Sequence, residues 1–163
     1  MPVDFRVRSY RDTDRATVCA LLDALQEAER GMEPNRADWA DGARTYADWM
    51  FEELTGNDGA AFVAESDSGE VIAMLSCWRA EDASDITVVP EARIHLYVSD
   101  LVVLPEWRGQ GIAVTLLAEA EKHGNKLGLK QMTIGVLAAN EAARRAYAKA
   151  GFEDYEMLLR KRL

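Results

Sequence analysis

Cysteine and histidine are scarce in this chain, two of each in 163 residues. Cys19 lies in a helical pattern and Cys77 in a strand pattern, with no CxxC spacing and no histidine pair beside either. A disulfide framework and a redox motif are therefore excluded, and both cysteines read as small buried hydrophobes. His95 and His123 are equally isolated, so spacing assembles no zinc site and no metal is expected. Long apolar runs are missing as well: none approaches the roughly 20 residues that cross a bilayer. The start of the chain, Met1-Pro2-Val3-Asp4-Phe5, lacks the basic-then-apolar order of a signal peptide, so a cytoplasmic protein is the expectation. Positive charge is in deficit, 19 Lys and Arg against 28 Asp and Glu, for a net charge of −9. That balance repels phosphate backbones and anionic lipid, so neither nucleic acid nor a membrane is an expected partner.

What remains is ordinary globular material, 48% hydrophobic and 29% charged, with no repeat or low-complexity tract. A single domain spanning residues 1–163 is the natural count. Phe5-Arg-Val-Arg-Ser9 alternates like a half-buried strand. Asp12 and Thr13 offer N-cap oxygens before Val18, Leu21, Leu22 and Leu25, the spacing of an amphipathic helix that should stop near Gly31. A second helix is expected over roughly Arg36 to Leu54, with Trp39, Tyr46, Trp49 and Phe51 as packing aromatics. Residues 60–65 and 70–78 read as a hairpin around Asp67-Ser68-Gly69. After an acidic loop, a strand over 93–104 leads into a helix carrying Ala113, Leu116, Leu117 and Ala120, stopped by Gly128, and then into a strand over 132–137. Strand–helix–strand of this length implies a right-handed crossover and two parallel strands. A helix from Asn140 to Ala150 follows, and Phe152 with Tyr155–Leu159 should close the sheet as terminal strands. The class is α/β, with a mixed, mostly antiparallel sheet and flanking helices.

Arg108-Gly-Gln-Gly-Ile-Ala113 lies between a strand end and a helix start. Glycines there allow close backbone approach, and the first helical N–H groups are unpaired, which makes a site for phosphate or pyrophosphate. Arg108 adds a charge-assisted donor. A P-loop would need a Lys and a Ser or Thr that are missing, and the dinucleotide pattern fails at Val114 and normally opens its fold.

The segment Asp100-Leu-Val-Val-Leu-Pro-Glu-Trp-Arg-Gly-Gln-Gly-Ile-Ala113 resembles motif A of the GNAT superfamily of acetyl-CoA-dependent N-acetyltransferases. Arg108, Gly111 and Ala113 fill the fixed positions of Q/R-x-x-G-x-G/A. Asn140-Glu-Ala-Ala-Arg-Arg-Ala-Tyr147-Ala-Lys-Ala-Gly151-Phe152 resembles motif B. The likeness covers about residues 93 to 155; before that, only the order of elements matches.

The resemblance implies acetyl-CoA lying between two splayed parallel strands. Backbone groups of Leu101, Val102 and Val103 would pair with its pantetheine arm. The N–H groups of Gly109, Gln110, Gly111, Ile112 and Ala113, with Arg108, would hold the pyrophosphate. Asn140 and Tyr147, seven residues apart, project from one side of the last helix. Asn140 would join the coenzyme site, although a plain N-cap role also accounts for it. Tyr147 would protonate the departing thiolate: a phenol's pKa of about 10 lies above a thiol's of about 8.5, so it keeps a proton to give. Packing in the core is the alternative for Tyr147. A backbone N–H near Val103 would stabilise the oxyanion. Asp100, at the acyl site, is the leading base candidate, ahead of Glu27 and His95, and a β-bulge could change which way it points.

The acceptor is the least legible part. Between Glu27 and Asp58 the chain holds nine acidic residues (Glu27, Glu29, Glu33, Asp38, Asp41, Asp48, Glu52, Glu53, Asp58) against Arg30, Arg36 and Arg44. In the family this region walls the acceptor side, so the resemblance and the charge together favour a small cationic amine. A non-catalytic acyl-CoA sensor of the same fold, or an acetyltransferase for protein N-termini or lysines, are the alternatives. Many relatives form homodimers, but no symmetric patch is readable.

Overall fold

A computed structural model of the chain describes residues 4–39 and 42–163. Met1, Pro2 and Val3 of the signal-peptide argument, and Asp41 of the acidic count, lie outside the described residues. Five strands form one sheet in sequence order: β1 (Phe5–Ser9), β2 (Ala60–Ser66), β3 (Val71–Glu81), β4 (Ile94–Val103) and β5 (Met132–Ile134). The first three pairings are antiparallel and β4–β5 is parallel, the mixed sheet the sequence implied. The helices are α1 (Arg15–Met32), α2 (Gly42–Gly56), α3 (Ile112–Lys126) and α4 (Glu141–Lys149).

Strand alternation gives the sheet two apolar faces, each covered by its own helices. Leu75, Cys77, Leu96 and Val98 pack with Ile112, Leu116, Leu117 and Ala120 of α3. On the other face Met74, Trp78 and Val102 pack with Val18, Leu21 and Leu22 of α1 and with Ala47 and Met50 of α2. Full burial of one such Leu or Met is worth about 1.5–3 kcal/mol, so both layers contribute strongly. Cys77 is fully buried, and burial pushes its thiol up to about 12, as an inert packing group requires.

Three expectations need correction. The second helix begins at Gly42, not near Arg36, because residues 36–37 are held against α1: Arg36 pairs with Glu29 at 2.8 Å, and Gln26 Nε2 donates to the Ala37 carbonyl at 2.8 Å. The strand expected over 132–137 ends at Ile134. The terminal strands at Phe152 and Tyr155–Leu159 do not form; 152–163 is irregular, with Tyr155, Met157 and Leu159 at 74%, 73% and 83% exposure. A three-residue β5 offers little ladder to extend, and Arg160 is drawn instead to Glu33 at 2.8 Å.

Candidate active site

Strand β4 builds the site through two irregularities. Ser76 pairs with Asp100 and Cys77 with Val98, so Ser99 is an extra residue on β4, a β-bulge. Before it, Leu96 and Val98 face α3; after it, Leu101 and Val103 do, so the bulge reverses the parity of the strand. Without the bulge, in unbroken alternation, Asp100 would follow Leu96 and Val98 into the apolar α3 layer. With it, Asp100 turns toward α2, where its carboxylate accepts from Tyr46 Oη at 3.0 Å and from Ser76 Oγ at 2.7 Å.

The second irregularity is the splay. β5 pairs with β4 only at Leu96–Met132, Tyr97–Thr133 and Val98–Ile134, whereas β4 runs on to Val103. The Leu104 N–H donates to Ile72 on β3. Alternation therefore turns the polar backbone of Leu101 and Val103 toward the opening, and that of Val102 toward β3. The Val102 side chain packs on the α1–α2 face at 4% exposure.

At the mouth of the opening stands the glycine turn. Gly109 and Gly111 have φ of 78° and 85°, a left-handed conformation that side chains rarely adopt, and nothing lies within 4 Å of a Cβ built on either. None of the backbone hydrogen bonds takes the N–H groups of residues 109–114; the first is claimed at Thr115, by Gly111 O at 3.0 Å. Gln110 Nε2 folds back to Glu106 O at 3.4 Å. Ile112 anchors the helix start at 1% exposure, and Ala113 is half-buried. Arg108 Nε donates to Val103 O at 3.0 Å, so one guanidinium edge ties turn to strand. This open cradle of unclaimed donors at a helix N-terminus fits a phosphate or pyrophosphate.

Asn140 is the N-cap of α4, its Oδ1 accepting from Ala143 N–H at 3.1 Å. Tyr147 sits half-buried against the α3-side core, its ring 6.0 Å from Phe152. Burial first, and the nearby Glu29 carboxylate second, push its hydroxyl up to about 12. Among the described residues its hydroxyl has no hydrogen-bond partner, which leaves it free for a ligand.

Of the base candidates, Asp100 is 5% exposed and has both oxygens occupied. Burial raises its pKa against the lowering effect of Ser76, Tyr46 and Ser99. Glu27 points to solvent at 73% exposure, paired with Arg30. His95 lies away from Asp100, at a cavity beyond Tyr97.

Glu29, read in the sequence only as one acid among nine, lies near enough to Asp100, Tyr97 and Tyr147 for their charges to be felt. Burial raises its pKa, opposed by Arg36 and reinforced by the Asp100 charge, and Glu29 in turn acts on Tyr97 and Tyr147. Its side chain is 23% exposed, so it is partly sheltered yet reachable. The signal was present: Val18, Leu22, Gln26 and Glu29 continue one stripe down α1, so its last position carries a charge on a core-facing line.

A splayed parallel pair with a helix start of unclaimed N–H groups at its mouth defines an α/β protein with an open cleft suited to an anionic group. The chain belongs to the acetyltransferase (GNAT) family, a family of acetyl-CoA-dependent N-acetyltransferases, whose model matches residues 20–152. An uncharacterised N-acetyltransferase of Archaeoglobus fulgidus is 28% identical over 138 residues, 85% of this chain and 88% of that protein. Another, from Methanocaldococcus jannaschii, is 26% identical over 115 residues, 71% of this chain but 49% of its own length. The chain thus spans about half the length of that relative. Among solved structures, an aminoglycoside antibiotic 6'-N-acetyltransferase from Acinetobacter baumannii superposes with a TM-score of 0.73 at 17% identity, covering 98% of both chains. A Clostridium acetobutylicum protein described as a predicted acetyltransferase, solved with acetyl-CoA, gives a TM-score of 0.73 at 19% identity over 98% of this chain and 96% of that one. At these identities the two structures share the fold.

Proposed function

We propose that the chain transfers the acetyl group of acetyl-CoA to a small cationic amine. The observation that carries this reading is the run of unclaimed N–H groups at residues 109–114, opening onto the splay beside Leu101 and Val103. The residues fit the coenzyme: the space before Gly109 and Gly111 is free, and the donors suit a pyrophosphate. Acetyl-CoA supplies an acetyl group activated as a thioester.

The protein's own groups do the rest. Residues 109–113 and Arg108 bind the phosphates, and the outward backbone of Leu101 and Val103 aligns the pantetheine arm as an added strand would. Glu29 accepts the proton that an ammonium must lose before its nitrogen can attack, and its raised pKa makes it a stronger base than an exposed carboxylate. The new C–N bond forms as the C–S bond breaks, Tyr147 Oη gives its proton to the departing sulfur, and the extra proton on the acylated nitrogen passes to the Tyr147 oxygen and restores the hydroxyl. At about 12 that hydroxyl is protonated at any working pH, and it yields the proton only as negative charge builds on sulfur. Asp100 holds Tyr46 and Ser76 in place beneath the site. A cationic acceptor is supported by the partly buried negative charge of Glu29 and Asp100, and an aminoglycoside acetyltransferase among the similar folds is consistent with it.

Thiol release from acetyl-CoA, measured with polyamines, aminoglycosides, amino acids and N-terminal peptides, tests the reading. Cationic amines should turn over fastest. Coenzyme binding with no thiol release from any acceptor would instead support the sensor alternative.

A further inference from the structure

Beyond Tyr97, at the end of β4 away from the glycine turn, lies a cavity of about 430 Å³. Asp82, Asp85 and Arg93 of the β3–β4 loop, His95 and Tyr97 of β4, and Glu156 of the terminal segment are among its lining residues. It also takes in Ile134 and Gly135, where β4 and β5 part, so it borders the opening proposed to receive the acetyl group.

Its charge is unlike that of the α1–α2 region. There, Glu27 and Asp38 pair with Arg30, Glu29 with Arg36, Glu33 with Arg160 and Asp48 with Arg15, so five of its nine carboxylates have an arginine partner. At the cavity, none of Asp82, Asp85 and Glu156 meets a lysine or arginine within ion-pair distance among the described residues. The cationic lining residue, Arg93, donates its Nε to Val88 O at 2.8 Å. His95 is a second, independent sign of a ligand. Its side chain is 9% exposed and faces the cavity, yet its nearest acidic atom, Asp82 Oδ2, is 3.8 Å away, too far for a hydrogen bond. A polar ring so buried without a partner stands ready for a group that is not part of the chain.

We propose that this cavity is the distal acceptor subsite and that the acceptor carries a second cationic nitrogen, as a diamine or polyamine does. The inference rests on the acetyl-transfer reading for the end of the acceptor that reacts, at the splay. The far ammonium sits among Asp82, Asp85 and Glu156, His95 hydrogen-bonds the chain or nitrogen near it, and Tyr97 forms the wall between the two ends. Specificity thus lies in the β3–β4 loop and terminal segment, outside the α1–α2 region where sequence charge pointed.

Calorimetric binding of 1,4-diaminobutane and of butylamine in the presence of CoA tests this. The probes are the wild type, an Asp82→Asn/Glu156→Gln variant, and an Asp23→Asn/Glu52→Gln control with the same change in net charge. All four residues are exposed, so folding should survive, and circular dichroism checks it. The preference for the diamine should fall by about 10-fold in the cavity variant and hold in the control. His95→Gln, which keeps a polar group of similar reach, should also reduce that preference. Equal losses in both double variants, no loss in either, or a wild type without diamine preference would overturn the subsite. Thiol release from amines with no dependence on Asp82 or Glu156 would sink the subsite and leave acetyl transfer standing. Diamine binding that follows the cavity variants, with no thiol release from any amine, would sink acetyl transfer and leave the subsite.

Discussion

In the proposed reaction Tyr147 and Glu29 carry opposite proton duties, and their surroundings suit them differently. Tyr147 is packed against the α3-side core with its hydroxyl unpaired, so Tyr147→Phe removes one oxygen and keeps the ring contacts with Phe152. We expect coenzyme affinity by calorimetry to change by less than about twofold, while kcat falls by about 10²-fold, the usual worth of a positioned acid. Unchanged kcat would reduce the residue to packing. Glu29 works in its ionised form, so activity should rise with pH through its pKa, which burial lifts above the ordinary carboxylate range. Glu29→Gln keeps the shape, and should lower kcat about 10²-fold and remove that acidic limb from the pH profile. A Gln variant that retains the limb would assign it to another group. Asp100 is the instructive contrast: chosen from its position in the sequence, it is sealed by two hydroxyls, a detail that only the α2 packing of Tyr46 supplies.

At the scale of elements, the chain's punctuation was readable and its exceptions were not. The hairpin at Asp67-Ser68-Gly69, the β4–α3–β5 crossover and the glycine turn all follow from local turn chemistry and period, and all are present. A bulge that re-aims Asp100 was anticipated and is present, but its place at Ser99 was hidden from period counting, because Ser99 and Asp100 are both polar. The terminal strand failed for a converse reason: Tyr155, Met157 and Leu159 alternate correctly, but alternation does not supply a partner ladder. Glu29 could be read as the last position of the Val18–Leu22–Gln26 stripe, but the groups its charge acts on belong to other elements and come only with the tertiary fold. The turn gives this scale its prediction. Gly111 has φ of 85° and open space before it, and Asn and Asp tolerate that conformation better than other side chains. Gly111→Asn and Gly111→Asp should therefore fold alike by thermal melting. Only the Asp variant sets a negative charge against the pyrophosphate, so its acetyl-CoA Kd should exceed that of the Asn variant by about 10-fold or more. Equal affinities would place the phosphates elsewhere.

For the whole molecule, the net charge of −9 draws cations from a distance, and local pairing decides where they stop. Ion pairs across α1 and α2 tie five of that region's nine carboxylates to four arginines, two of them, Arg15 and Arg160, from outside the acidic stretch itself. Near the site, Asp100 is held by hydroxyls without an arginine or lysine partner among the described residues, and Asp82, Asp85 and Glu156 stand without one at the cavity beyond Tyr97. Capture of a cationic acceptor should then depend on salt, because the Debye length shrinks from about 30 Å at 0.01 M to about 8 Å at 0.15 M. The proposed acetyl transfer takes place between groups a few ångströms apart, inside that length at either salt. We therefore expect kcat/KM for a cationic amine to fall by about 10-fold across that range while kcat stays within about twofold. Steady-state thiol release with 1,4-diaminobutane at fixed, saturating acetyl-CoA separates the two terms. A kcat that falls in step with kcat/KM would mean that salt disturbs the fold or the coenzyme site. A kcat/KM that ignores salt would mean that the acceptor is not drawn in by charge, and the cationic reading would fail.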